Sequence, residues 1–147
     1  MRAVARDRLR RPASRGQPLA DGDDLLEGGP DADLVNGGDG IDTVVYPKVV
    51  PGVSISLNGI ADDGSPGEGD NISPTVENAI GTAQADEFLG NGSANLFDGQ
   101  GGNDVFFGRG GDDQLYGRKG DDSFTGGLGT DLCAQGPGTG SKVGCEL

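Results

Sequence analysis

Gly28-Gly29-Pro30-Asp31-Ala32-Asp33-Leu34-Val35-Asn36, followed without a gap by Gly37-Gly38-Asp39-Gly40-Ile41-Asp42-Thr43-Val44-Val45, is one nine-residue pattern written twice. Outward from this pair the same pattern holds at 19–27, and after a break at 81–89, 90–98, 99–107, 108–116, 117–125 and 126–134. Position one is glycine in every unit except the first, which has Leu19. Position four is glycine at Gly22, Gly40, Gly102, Gly111, Gly120 and Gly129. Position six is Asp24, Asp33, Asp42, Asp86, Asn95, Asp104, Asp113, Asp122 and Asp131. Position eight is apolar throughout: Leu26, Val35, Val44, Phe88, Phe97, Phe106, Leu115, Phe124 and Cys133.

Each column has a physical meaning. Glycines at fixed offsets permit the positive dihedrals of a tight turn and let backbone carbonyls face inward. The last three residues of a unit suit a very short strand whose middle side chain enters a core. One unit is then half a coil, and units eighteen residues apart stack on the same side, about 4.8 Å apart. Calcium takes six to eight oxygen ligands at about 2.3–2.6 Å, so an ion between two stacked turns reaches carboxylates and carbonyls of both. Zinc is a poor alternative, because the chain has no histidine and only two cysteines. Magnesium demands a tighter octahedron and usually keeps several waters.

These units resemble the RTX, or haemolysin-type, calcium-binding nonapeptide, Gly-Gly-x-Gly-x-Asp-apolar. The resemblance implies an all-β fold, a parallel β-roll of the serralysin type, with several calcium ions held in the turns. It implies ligation by the position-six residues and by backbone carbonyls of turn residues such as Gly22, Gly40, Gly102, Gly111, Gly120 and Gly129. Same-side sites would join Asp24 with Asp42, Asp86 with Asp104, and Asp104 with Asp122, and on the other side Asn95 with Asp113, and Asp113 with Asp131. Asn95 lacks a charge, and the 81–89 turn has Thr82 and Gln84 where the pattern has glycine. Both sites are expected to be weak.

Composition agrees with this reading. Glycine supplies 30 of 147 residues and only 33% are hydrophobic, so an ordinary packed core is improbable. One large apolar side chain per nine ordered backbones stabilises little, and closely stacked carboxylates repel without a cation. Folding is therefore expected to be coupled to metal binding, with the calcium-free chain largely disordered. The net charge of −13 hides a basic segment, Met1 to Gly16, with six arginines and one aspartate. Residues 1–18 are read as a disordered basic segment with no apolar run of the kind a secretory signal needs. The acidic remainder argues against nucleic-acid binding, and no stretch is long and apolar enough to span a membrane.

The first array, 19–45, and the second, 81–134, flank the break at 46–80. There Val53-Ser54-Ile55-Ser56-Leu57 alternates like a half-buried strand, and the acidic turn-rich stretch 62–70 follows. This segment is read as β-structure packed on the roll. Cys133 and Cys145 are either two free thiols or a disulfide. The bond is preferred because it folds the tail, 135–147, back over the open end as a cap, and it implies an oxidising compartment. Leu89, Val105 and Phe107 form an apolar face on the outside of the strands, either covered by 46–80 or open to an attached domain or protein partner. With no histidine for a triad, no zinc motif and no nucleotide loop, the chain does not read as an enzyme. It reads as an extracellular calcium-binding module. The alternatives are a structural or adhesive surface-binding module, or the non-catalytic C-terminal part of a larger secreted enzyme or toxin.

Overall fold

Nine residues per unit leave room for a turn and about three extended residues, and most strands are that short. The computed structural model describes residues 22–46 and 51–146. The basic segment 1–18 and Leu19 lie outside the described residues. In chain order the strands are β1 (Leu25–Glu27), β2 (Leu34–Val35), β3 (Thr43–Val45), β4 (Ser54–Ser56), β5 (Ala61–Asp63), β6 (Asp70–Ile72) and β7 (Asn78–Ile80). There follow β8 (Glu87–Leu89), β9 (Leu96–Asp98), β10 (Val105–Gly110), β11 (Gln114–Tyr116), β12 (Ser123–Leu128), β13 (Leu132–Ala134) and β14 (Ser141–Val143). Among the described residues no helix is long and apolar enough to cross a membrane.

The strands wind into a parallel β-roll. One sheet runs β1-β3-β7-β9-β11-β13, the second β14-β12-β10-β8-β4, and a three-stranded sheet runs β2-β6-β5. Within an array, partners lie one coil apart: Leu26 beside Val44, Phe88 beside Phe106 beside Phe124, and Phe97 beside Leu115 beside Cys133. Every position-eight side chain is buried in the single core between the sheets. Parallel pairing sets identical side chains one strand spacing apart. The rings of Phe88, Phe106 and Phe124 accordingly stack at centroid distances of 4.7 and 5.0 Å.

Residues 51–80, read from the sequence as β-structure packed on the roll, are built into its ladders. Ile55 of β4 stands opposite Phe88, Ile72 of β6 opposite Val35, and Ala79 of β7 between Val44 and Phe97. Tyr46, Val53, Leu57 and Val76 also enter the core, and a segment with so many apolar positions can bury them only as part of the coil. The surplus residues leave in the antiparallel β5–β6 excursion. At the far end, 135–143 makes one more half-coil, with no acid at position six and no apolar residue at position eight. β14 pairs with β12, and Lys142 takes the inward place opposite Phe124. Its ammonium donates to the Cys133 carbonyl, closing the end of the core.

On the outer face of the second sheet Leu89 and Phe107 are direct neighbours. Leu89 and Val105 are half-buried, and Phe107 is 36% exposed. Val105 lines a cleft of about 550 Å³ shared with residues 61–67, which leaves Phe107 in the open.

Candidate metal sites

A turn amide at position six has no ladder partner within its own unit, and the acidic column supplies one. The Asp24 N–H donates to Asp42 Oδ1 at 2.9 Å, Asp86 to Asp104 at 2.9 Å, and Asp104 to Asp122 at 3.0 Å. On the other side Asn95 donates to Asp113 at 2.8 Å and Asp113 to Asp131 at 2.9 Å. These are the five same-side pairs expected from the repeat. One carboxylate oxygen of each acceptor is thereby used for structure.

The second oxygen separates the positions into two groups. Among the described residues, Oδ2 of Asp24, Asp42, Asp104, Asp113 and Asp131 is buried with no hydrogen-bond partner. A buried carboxylate oxygen without a donor is costly, so each of these five is a candidate cation ligand. The glycine columns explain how such oxygens fit. A Cβ at Gly37, Gly99, Gly108 or Gly126 would overlap the carboxylate of Asp42, Asp104, Asp113 or Asp131. Position four is closed by its neighbour: Gly40, Gly120 and Gly129 have φ of +145°, +131° and +133°, and a Cβ there would strike the carbonyl of Gly22, Gly102 or Gly111 one coil away. Carboxylate and carbonyl oxygens thus crowd the gaps between turns. Among the described residues no point gathers three acidic, histidine or cysteine side chains, so carbonyls must complete any shell. Such an all-oxygen set fits calcium.

Elsewhere the chain closes the position with its own groups. Asp33 Oδ2 accepts from the Gly29 N–H at 3.2 Å. Thr82, which interrupts the glycine pattern, gives both its N–H and its hydroxyl to Asp86. Asn95 donates its amide to the Glu77 carbonyl at 2.9 Å. The Gln135 amide spans the Gly120 carbonyl and Asp122 Oδ2, both at 2.9 Å. Four of the nine predicted position-six residues are therefore already partnered at the atom that the other five leave bare.

Three further acids stand in the column without belonging to the repeat. Asp70 Oδ1 accepts from Asp33 N–H at 2.8 Å, and its Oδ2 accepts from the buried Tyr46 hydroxyl at 2.7 Å. Glu77 accepts from Asp42 N–H at 2.9 Å and joins the two arrays into one column. Glu146 accepts from Asp131 N–H at 2.6 Å. The first two sit 37 and 35 residues from their partners, steps that a period of nine cannot reveal. A sequence signal existed only in the strands that follow: Asn71-Ile72 and Asn78-Ala79-Ile80 each put an apolar residue two positions after the acid.

Burial raises the carboxyls of Asp33, Asp42, Asp70, Asp86, Asp104, Asp113 and Asp122. It pushes Asp104 up to about 8 against the lowering bond from the Asp86 N–H, and the nearby Asp86, Asp122 and Asp98 charges add to the rise. Burial likewise lifts Asp113 to about 6 and Asp42 above the ordinary carboxylate range. Asp63, away from the repeat, is raised to about 7 by burial despite N–H bonds from Ile72 and Ser56. The Tyr46 phenol is held protonated by burial and by Asp70.

Cys133 and Cys145 are joined in a disulfide, as preferred from the sequence. The family model of the RTX calcium-binding nonapeptide repeat matches residues 20–44, 76–106 and 98–133 in four copies, more than half of the chain. No curated protein matches it.

Proposed function

The chain belongs to the family of RTX calcium-binding nonapeptide repeats, and from that membership we propose an exported, non-catalytic module whose roll folds as its position-six carboxylates take up calcium. The observation that carries this reading is the set of five buried carboxylate oxygens without partners: Asp24, Asp42, Asp104, Asp113 and Asp131. Asp33, Asp86, Asn95 and Asp122 shape the column through hydrogen bonds and are the weaker ligands. Calcium supplies the positive charge that these stacked anions otherwise lack. Extracellular calcium modules bind at about 10⁻⁴–10⁻³ M, so the chain stays open where calcium is scarce and closes after export. The disulfide supports an oxidising destination. The reading extends to an attached domain or partner against the half-open row of Leu89, Val105 and Phe107.

The test is calorimetric titration of the whole chain with calcium, using magnesium as control. Asp104 pairs with both Asp86 and Asp122, so Asp104→Ala is expected to remove at least one bound ion and to weaken calcium affinity by about ten-fold or more. Absence of calcium heat in the unaltered chain would sink the reading. An Asp104→Ala chain with unchanged stoichiometry and midpoint would sink this assignment of the ligands.

A further inference from the structure

The first sheet ends at β13, yet the turn before that strand is not left open. In an interior coil three contacts come from the coil that follows. For Asp113 these are its N–H donating to the next carboxylate, its carbonyl accepting from the next position-seven N–H, and a glycine carbonyl from the next turn. The first two are Asp113 to Asp131 and Leu132 to Asp113, both at 2.9 Å. The third is the Gly126 carbonyl, which with Asp113 Oδ2 crowds the place where a Cβ of Gly108 would be.

Among the described residues no such coil pairs with β13 beyond Asp131, and the segment 144–146 supplies all three contacts. The Asp131 N–H donates to the Glu146 carboxylate, and its carbonyl accepts from the Glu146 N–H at 2.9 Å. The Gly144 carbonyl and Asp131 Oδ2 crowd the place where a Cβ of Gly126 would be, as Gly126 O and Asp113 Oδ2 do at Gly108. Asp131 is fully buried, and its Oδ2 has no partner. The bond to Asp131 N–H uses only one Glu146 oxygen. Between Gly144 and Glu146 lies Cys145, tied to Cys133 on the inward side of β13. Three residues and one covalent bond thus imitate a whole coil.

We propose that Asp131 Oδ2, the Gly144 carbonyl and the Glu146 carboxylate form a terminal calcium site that the Cys133–Cys145 disulfide holds together. The site rests on the reading that position-six carboxylates bind calcium, and it adds Glu146, which no repeat contains. Breaking the disulfide frees the tail, so the ordering entropy of residues 144–146 opposes binding and affinity at this one site falls. Redox state and calcium occupancy are then linked at the end of the roll, and bound calcium in turn holds the tail in place.

The experiment is calcium calorimetry on the oxidised full chain, on Glu146→Gln, on the chain reduced with a phosphine, and on Glu27→Gln as an exposed-acid control. Far-ultraviolet circular dichroism at saturating calcium accompanies each. Glu146→Gln and reduction are each expected to lose one ion or to weaken one site by about ten-fold or more, with the calcium-saturated spectrum retained. Glu27→Gln should titrate like the unaltered chain. If Glu146→Gln also titrates like the unaltered chain while that chain binds calcium, the terminal site is overturned and the wider reading stands. A loss with Glu146→Gln but none on reduction overturns the disulfide's part. No calcium binding in the unaltered chain overturns both.

Discussion

Removing calcium at neutral pH is expected to abolish most of the β-sheet circular dichroism of this protein, and returning calcium, but not magnesium, is expected to restore it. The roll buries about one large side chain per nine residues, so its core alone leaves little margin over the entropy of ordering the chain. Five buried carboxylate oxygens without donors subtract from that margin. A ligand that binds only the folded state adds about 4 kcal/mol per site at a free concentration one thousand times its Kd. Several such sites are comparable with the whole stability of an ordinary domain. A complete sheet spectrum in chelator at pH 7 would refute this coupling.

Two of these carboxylates, Asp104 and Asp113, give the calcium-free chain an unusual pH dependence. Asp104, raised to about 8, and Asp113, raised to about 6, hold protons more tightly folded than unfolded. An acid raised in this way stabilises the fold fully below its unfolded pKa near 4, and the contribution is lost as pH rises toward 8. In chelator the chain should therefore hold more β structure at pH 4 than at pH 8. With calcium present the order reverses, because binding requires the ionised form and releases protons. Titration in two buffers of different ionisation heat measures that release; equal heats in both would count against it.

Phe106→Ala is expected to be the most damaging single core change. Phe106 stands between Phe88 and Phe124 in the stacked column and is fully buried, so truncation removes contacts on both sides. Loss of such a ring costs about 3–5 kcal/mol, measured by denaturant unfolding at saturating calcium. In a roll where each coil touches only its neighbours, the defect also separates the two halves of the sheet. The calcium concentration needed for folding should rise correspondingly. Phe107→Ala, one residue away on the outer face, is the contrast and should change stability by no more than about 0.5 kcal/mol. Equal effects from the two changes would mean that the inward and outward positions are wrongly assigned.

Much of this was legible because a period of nine fixes turn, strand and inward side chain together. The phase of each array, the buried column from Leu26 to Cys133, and the five same-side pairs of position-six residues all follow from alignment alone. The break at 46–80 was not legible in the same way. Its apolar residues fit a strand, but ladder steps of 33, 35 and 37 residues obey no period, so only the backbone shows that β4, β6 and β7 continue the sheets. The last half-coil, 135–143, was hidden for the opposite reason: it keeps the length of a unit while replacing the position-six acid and position-eight apolar residue by Gly140 and Lys142.

Sequence by itself determined the roll, calcium as the ion and which residues recur at the acidic position, because those depend on spacing along the chain and on donor chemistry. It could not determine which carboxylates are bare. That depends on what approaches Oδ2 through space: Thr82 at Asp86, Gln135 at Asp122, Tyr46 at Asp70, and no donor among the described residues at Asp104 or Asp131. Tertiary structure decided this because a hydrogen bond is a matter of a few tenths of an ångström and a direction, neither of which a repeat pattern carries. It also brought Glu146 to Asp131, where a short tail behind a disulfide does the work of a missing coil.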